Sequence, residues 1–163
     1  MTNENLYYQV VETPIGLLNI VANEDAICSV QLLDMGSTQP EDRPSSITTL
    51  ACQQMTTYFD GELQTFDLPL AFEGTEFQQR VWQQLLSIPY GETISYGELA
   101  EQIGNKNSVR AVGAANGKNP IPIFIPCHRV IAANGKLQGF ALGLDVKRHL
   151  LNLEYQKPKG VLF

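Results

Sequence analysis

The segment Pro126-Cys127-His128-Arg129-Val130 sets a thiol beside an imidazole and a guanidinium. The thiolate is the nucleophilic form of cysteine, and nearby positive charge or a hydrogen-bonding base makes it available near neutral pH. Cys127 is therefore the candidate nucleophile. Cys28, in a strand pattern, and Cys52, in a helix pattern, read as small buried hydrophobes. With no Cys-x-x-Cys pair and only His128 and His149 as imidazoles, neither a disulfide framework nor a zinc site is suggested. No metal and no cofactor are expected.

Such a nucleophile needs a rigid support. Asn119-Pro120-Ile121-Pro122-Ile123-Phe124-Ile125-Pro126 is apolar but too rich in proline for a helix or a central strand, and predicts a rigid, buried, extended segment that delivers Cys127. Upstream, Thr75-x-x-Gln78 is a capping-box signature, and Phe77, Val81, Leu85 and Ile88 recur at helical spacing as far as Pro89-Tyr90-Gly91. Ser95-x-x-Glu98 is a second capping box, for a helix from Ser95 to Ile103 that Gly104-Asn105 stops. A third short helix runs from about Ser108 to Asn116, so that the pair forms a helix-turn-helix candidate. Its second member is poor in bulky side chains and can press its backbone against a nucleic-acid groove or, equally, against another helix. Downstream, Asn134-Gly135 marks a turn open to a hairpin, and Asp145 to Glu154 forms the last helix.

The first part of the chain has a different pattern. Tyr7 to Val11, Leu17 to Val21 and Ile27 to Leu32 alternate as strands of an antiparallel meander, broken at Thr13-Pro14-Ile15-Gly16 and Asn23-Glu24-Asp25. A polar loop from Gly36 to Ser46, a helix from Ile47 to Phe59 and a short strand from Phe66 to Leu70 complete an α+β unit. The chain's 163 residues, 44% of them hydrophobic, suffice for one domain or two small ones, and the patterns divide at 1–74 and 75–163. No apolar run approaches the roughly 20 residues of a membrane span, and the N-terminus lacks a basic flank before an apolar stretch, so a cytoplasmic protein is expected. The net charge of −6 conceals an asymmetry: residues 1–74 balance to −10, with Arg43 their one base, and residues 75–163 to +4. The basic half suits a polyanion and the acidic half maintains solubility; solvated surface charge segregated by chance gives the same numbers.

Pro126-Cys127-His128-Arg129-Val130, preceded by Arg110-Ala111-Val112-Gly113 and Asn119-Pro120 and followed by Lys147, Leu150-Leu151 and Glu154, resembles the methylated-DNA-protein-cysteine methyltransferases, suicide repair proteins for O6-alkylguanine. The likeness is dense from Thr75 to Gly160. It implies a ribonuclease-H-like first domain and a winged-helix-like second domain whose helix-turn-helix enters the minor groove and flips the damaged base. It implies that Cys127 accepts the alkyl group, that His128 takes the thiol proton through a water, and that Glu154 orients and charge-balances His128. Asn119 would brace the turn holding Cys127, and Tyr96 would bond the base and supply a proton as guanine leaves. Arg110 would fill the gap in the stack, with Ala111, Ala114, Ala115 and Arg129 among the DNA contacts. The carbonyls of Cys127 and Val130 and the amide of Ala141 would read the guanine edge. Lys147, Arg148, Lys106 and Lys118 would touch phosphates. The partner implied is double-stranded DNA met by a monomer, with O4-methylthymine as a further substrate.

Two departures stand out. Phe140 and Leu142, in Gly139-Phe140-Ala141-Leu142-Gly143, replace a common tyrosine and a common small residue of the family, which bears on the alkyl sizes accepted. The zinc ligands of some relatives' first domains have no counterparts. Two other readings of the same residues are a non-catalytic lesion-binding module, against which Cys127 itself counts, and a thiol hydrolase with a Cys-His-Glu triad.

Overall fold

The computed structural model describes residues 5–36, 38–137 and 140–155. The chain forms two compact units, Met1–Phe72 and Glu73–Phe163.

In the first unit, β1 (Tyr7–Thr13), β2 (Gly16–Ala22) and β3 (Ile27–Leu32) form an antiparallel sheet in that order. The β1–β2 turn closes through the Thr13 hydroxyl, which donates to the Gly16 carbonyl at 2.7 Å, and Gly16 adopts φ +122°. Helix α1 (Ser46–Phe59) starts at a reciprocal capping box between Ser45 and Thr48 and buries Ala51, Cys52, Met55 and Tyr58 on one face. These side chains, Leu18, Ile20, Ala22, Ile27 and Val30 of the sheet, and Ala26 make up the buried apolar set. The expected strand from Phe66 to Leu70 is absent. Only one parallel bridge forms, between Ile27 and Leu70, in which the Ile27 amide donates to Pro69 and the Ala71 amide to Ile27. Pro69 has no N–H to extend a ladder.

The second unit begins with α2 (Glu76–Leu85), N-capped by Thr75 with Gln78 bonding back. Ile94–Ser95, strand β4, leads directly into α3 (Tyr96–Gln102), where Ser95 and Glu98 complete the other expected capping box. After a turn comes α4 (Val109–Gly117). Trp82 of α2 anchors α4, its indole N–H donating to the Ala115 carbonyl at 2.8 Å. Cys127–Arg129 is a single 3-10 turn, β5 (Val130–Ile131) pairs in parallel with β4, and α5 (Leu144–Glu154) ends the described part of the unit. Asn134-Gly135 makes a turn, with the Gly135 amide donating to Ala132 at 2.8 Å, but no hairpin of strands follows among the described residues.

The proline-rich segment departs from expectation more instructively. It is buried, but it folds back instead of extending: the Ile125 amide donates to the Ile121 carbonyl at 2.9 Å, Pro122 bridges Ile125, and Ile123 sits at φ +77°. A left-handed backbone at a β-branched residue is costly and persists only where its surroundings enforce it. Asn119 supplies that enforcement. Its side-chain oxygen accepts from the Ile121 amide at 2.9 Å and its nitrogen donates to the Ile125 carbonyl at 2.8 Å, locking both ends of the turn.

Candidate active site

Cys127 emerges from this locked turn fully buried, with its own amide donating to the Ile125 carbonyl at 2.8 Å. Burial pushes the thiol up to about 11, against the opposing effects of the Asn119 side chain, the Lys147 ammonium and local backbone amides. Near neutral pH the resting group is a thiol, and a nucleophile at this position requires a base.

His128 and Glu154 provide one. The His128 ring is fully buried, and its Nε2 lies 2.6 Å from Glu154 Oε2. Burial raises the Glu154 carboxyl, but His128 and the Arg129 guanidinium outweigh it and hold the group at about 2. An ionised carboxylate can only accept, so Nε2 carries the hydrogen and donates. Burial lowers His128 as well, Glu154 opposing, and the ring is neutral near pH 7. Its lone pair must then reside on Nδ1. That atom is buried and has no hydrogen-bond partner among the described residues. A neutral imidazole with a fixed tautomer and a lone pair without a partner among the described residues, on the residue that follows a buried cysteine, has the chemistry of a proton acceptor.

Arg129 fixes the carboxylate. Nε donates to Oε1 at 2.7 Å, Nη2 to Oε2 at 3.1 Å and Nη1 to the Ile88 carbonyl at 2.7 Å. The side chain is 7% exposed. This corrects the expected DNA contact: the guanidinium's donors are committed to a buried acid and a main-chain carbonyl, which ties the end of α2, the 3-10 turn and α5 together. Gly91 sets the same junction from the other side. Its φ of +80° and the 3.2 Å between a Cβ built there and the Glu154 carbonyl make any side chain there strained and tight.

Lys147 needs a second correction. It is fully buried, donates to the Val130 carbonyl at 2.6 Å and lies 5.8 Å from the centre of the Tyr96 ring, so as placed it is no surface phosphate contact. Burial lowers its ammonium to about 8, opposed by Cys127. Its charge acts inward, on the thiol. Tyr96, at the start of α3, is half-buried; burial and Cys127 raise its hydroxyl, while a side-chain hydrogen bond with Asn116 works the other way. Asn116 was not singled out from the sequence. It is 1% exposed and its Nδ2 donates to the Cys127 carbonyl at 3.2 Å. A polar residue among the alanines and glycines of α4 was the available signal.

The expected DNA-facing residues divide by helix face. Arg110, Ala111 and Ala114 are exposed along one side of α4, Val109 beside them. Ala115, one turn after Ala111, is 3% exposed, and its carbonyl accepts from Trp82, which corrects its assignment as a contact. Val130 is buried with its carbonyl already accepting from Lys147, and Ala141 is exposed in the turn before α5. Lys106, Lys118 and Arg148 are exposed, Arg148 pairing with Asp145 at 3.2 Å. Phe140 meets the His128 ring edge-on at 6.5 Å between centroids. Gly139 and residues 156–160 lie outside the described residues.

Known proteins resemble the chain along both units. Residues 6–72 match the 6-O-methylguanine DNA methyltransferase ribonuclease-like domain, and residues 76–156 match the DNA binding domain of the same proteins. The methylated-DNA–protein-cysteine methyltransferase of Methanosarcina acetivorans is 49% identical over 91% of this chain and 98% of its own. The enzyme of that name from Mycobacterium tuberculosis is 46% identical over 96% and 97%. A crystal structure of the M. tuberculosis O6-methylguanine methyltransferase superposes with a TM-score of 0.83 at 43% identity, covering 96% of each chain. Another, of the M. tuberculosis protein OGT in complex with DNA, gives 0.82 at 48% identity over 90% of this chain and 91% of that one. With domain matches along nearly its whole length, and with Cys127 and His128 buried on the 3-10 turn and Glu154 at the end of α5, the chain belongs to the methylated-DNA–protein-cysteine methyltransferase family.

Proposed function

We propose that the protein repairs DNA by moving the alkyl group of O6-methylguanine irreversibly to the Cys127 sulfur. The observation that carries the reading is the polarity of His128. Its Nε2–H is spent on Glu154, and its Nδ1 lone pair has no partner among the described residues, on the residue that follows a thiol that burial keeps protonated. In the step, His128 Nδ1 takes the thiol proton, through a water, as sulfur attacks the methyl carbon in line. The S–C bond forms, the C–O6 bond breaks, and its electron pair stays on guanine, which a proton from Tyr96 neutralises. This leaves an imidazolium at His128 and a phenolate at Tyr96; a proton passing from His128 to Tyr96 through solvent restores both, so that in net terms the thiol's proton ends on guanine. The product is a thioether, and no second thiol among the site residues can reverse it, so each molecule acts once.

A group on O6 lies inside the duplex and Cys127 lies inside the protein, so the nucleotide must rotate out. The exposed face of α4 is the surface for this. Ala111 and Ala114 let its backbone approach the minor groove, and Arg110, at its first turn, replaces the stacking lost. In this scheme residues 75–163 bind and react, O4-methylthymine is a secondary substrate, and the protein works as a monomer in the cytoplasm. The three free cysteines suit a reducing compartment.

The test is stoichiometry. Mixing the protein with a duplex containing O6-methylguanine is expected to restore guanine until one equivalent per protein is consumed, and then to stop. Binding with no restored guanine would make it a lesion-binding module. Continued turnover on an ester or amide would make it a thiol hydrolase.

A further inference from the structure

Asn116 lies on the buried face of α4, the helix whose exposed face meets DNA in the function proposed above. It is 1% exposed, and its Nδ2 donates to the Cys127 carbonyl at 3.2 Å. Its Oδ1 is buried with no hydrogen-bond partner among the described residues. An acceptor left unpaired in the interior costs free energy, and a leucine of similar volume would avoid that cost. Packing alone therefore does not account for the residue. It keeps an acceptor on a side chain bonded to the nucleophile's own main chain, and the folded protein does not use it.

Alkyl transfer supplies a donor. When a flipped O6-methylguanine brings its methyl carbon to the Cys127 sulfur, the same edge of the base comes against the groups around that residue. Alkylation at O6 leaves N1 without a hydrogen, so the donor on this edge is the exocyclic amine. The carbonyls that the family resemblance offers for it are already engaged. That of Cys127 accepts from Asn116 Nδ2 and from the Val130 amide, which takes up both lone pairs. That of Val130 holds the Lys147 ammonium at 2.6 Å. The nearby Ile125 carbonyl accepts from Asn119 Nδ2 and from the Cys127 amide, each at 2.8 Å. His128 Nδ1 is needed for the thiol proton. Of these acceptors, only Asn116 Oδ1 carries no donor and has no other task. We propose that Asn116 reads the damaged base: Nδ2 fixes the amide on the Cys127 carbonyl, and Oδ1 accepts a hydrogen from the exocyclic amine of the flipped guanine, so that the site selects purines that carry this amine. The inference rests on the alkyl-transfer reading and names the feature of the substrate that the site recognises. It adds one hydrogen bond and leaves the bond changes at sulfur and carbon unaltered.

The experiment compares single-turnover transfer from two duplexes that differ only in the damaged base, O6-methylguanine or O6-methylhypoxanthine, which lacks the amine. The ratio of the two rates is measured for the wild type and for Asn116→Leu. The cost of flipping each base belongs to the duplex and cancels between the two proteins. The ratio is expected to fall about 10- to 100-fold in the variant, because leucine leaves the amine without an acceptor in a buried site and accommodates the C–H of hypoxanthine. A purely structural role gives a different result: losing the bond to the Cys127 carbonyl slows both substrates alike. An unchanged ratio in the folded variant overturns the proposal. Fluorescence of Trp82, whose indole is bonded to the neighbouring Ala115, reports that α4 remains seated. Should the leucine variant fail that control, Asn116→Ala takes its place, with the same fall expected. Wild-type protein that transfers from neither duplex removes the alkyl-transfer reading and this one with it.

Discussion

A cysteine held near 11 is a poor nucleophile by itself, and the three residues around it are arranged to change that only when a substrate arrives. Glu154 fixes the tautomer of His128, and Arg129 fixes Glu154. The acid's role can be read from pH. Its folded carboxyl titrates at about 2 against an ordinary 4.5, so the folded state binds fewer protons, and the stability this confers is complete above about 4.5 and lost as pH falls through about 2. His128, held neutral by burial, adds a second loss below about 6.5. Glu154→Gln should flatten the decline in denaturant midpoint below pH 4.5 and slow transfer at pH 7 by about 10²-fold or more; an unchanged acid slope would show that the carboxylate is not held as described. The Cys-His pair was legible in the sequence because its residues are adjacent. Glu154 came only from the family resemblance, since 26 residues separate it from His128. Arg129 and Lys147 were misassigned because a cation in a sequence reads the same whether it is solvated or bonded to a buried oxygen.

Helices were the most legible elements, and the reason is chemical. Thr75 with Gln78 and Ser95 with Glu98 mark N-termini through side chains that satisfy backbone amides, a local requirement visible in local sequence. The segment before Cys127 was legible as rigid but not as folded back, because its turn places a left-handed backbone at Ile123, where no glycine or asparagine announces it, and Asn119 enforces it across several residues. Small residues on α4 left groove and helix packing open. Helix packing takes Ala115, which is buried, while Ala111 and Ala114 stay exposed. Arg110 at the exposed start of this helix should matter only where a stack must be refilled. Arg110→Ala is expected to slow transfer from duplex DNA about tenfold while leaving transfer from free O6-methylguanine base within about twofold. Equal slowing with both substrates would remove the stack-filling role.

At the scale of the whole molecule, two patterns in one chain, alternating strands and then capped helices, correspond to two compact units, Met1–Phe72 and Glu73–Phe163. Alkylation should be felt by the second unit as a whole. The methyl enters a site where Cys127, His128 and Lys147 are already fully buried, and overfilling a buried site costs about 1–3 kcal/mol. The spent protein is therefore expected to melt about 2–10 °C below the unreacted one, and an equal or higher Tm would mean the site holds room for its product. The account's central claim is about one atom, and peptide mapping by mass tests it most directly. After incubation with an excess of O6-methylguanine duplex under reducing conditions, a single added methyl should be found on the peptide carrying Cys127 and none on those carrying Cys28 or Cys52, with Cys127→Ser protein still binding DNA but gaining no mass. A folded, DNA-bound wild-type protein whose Cys127 remains unmodified, or whose methyl resides on another residue, would contradict it.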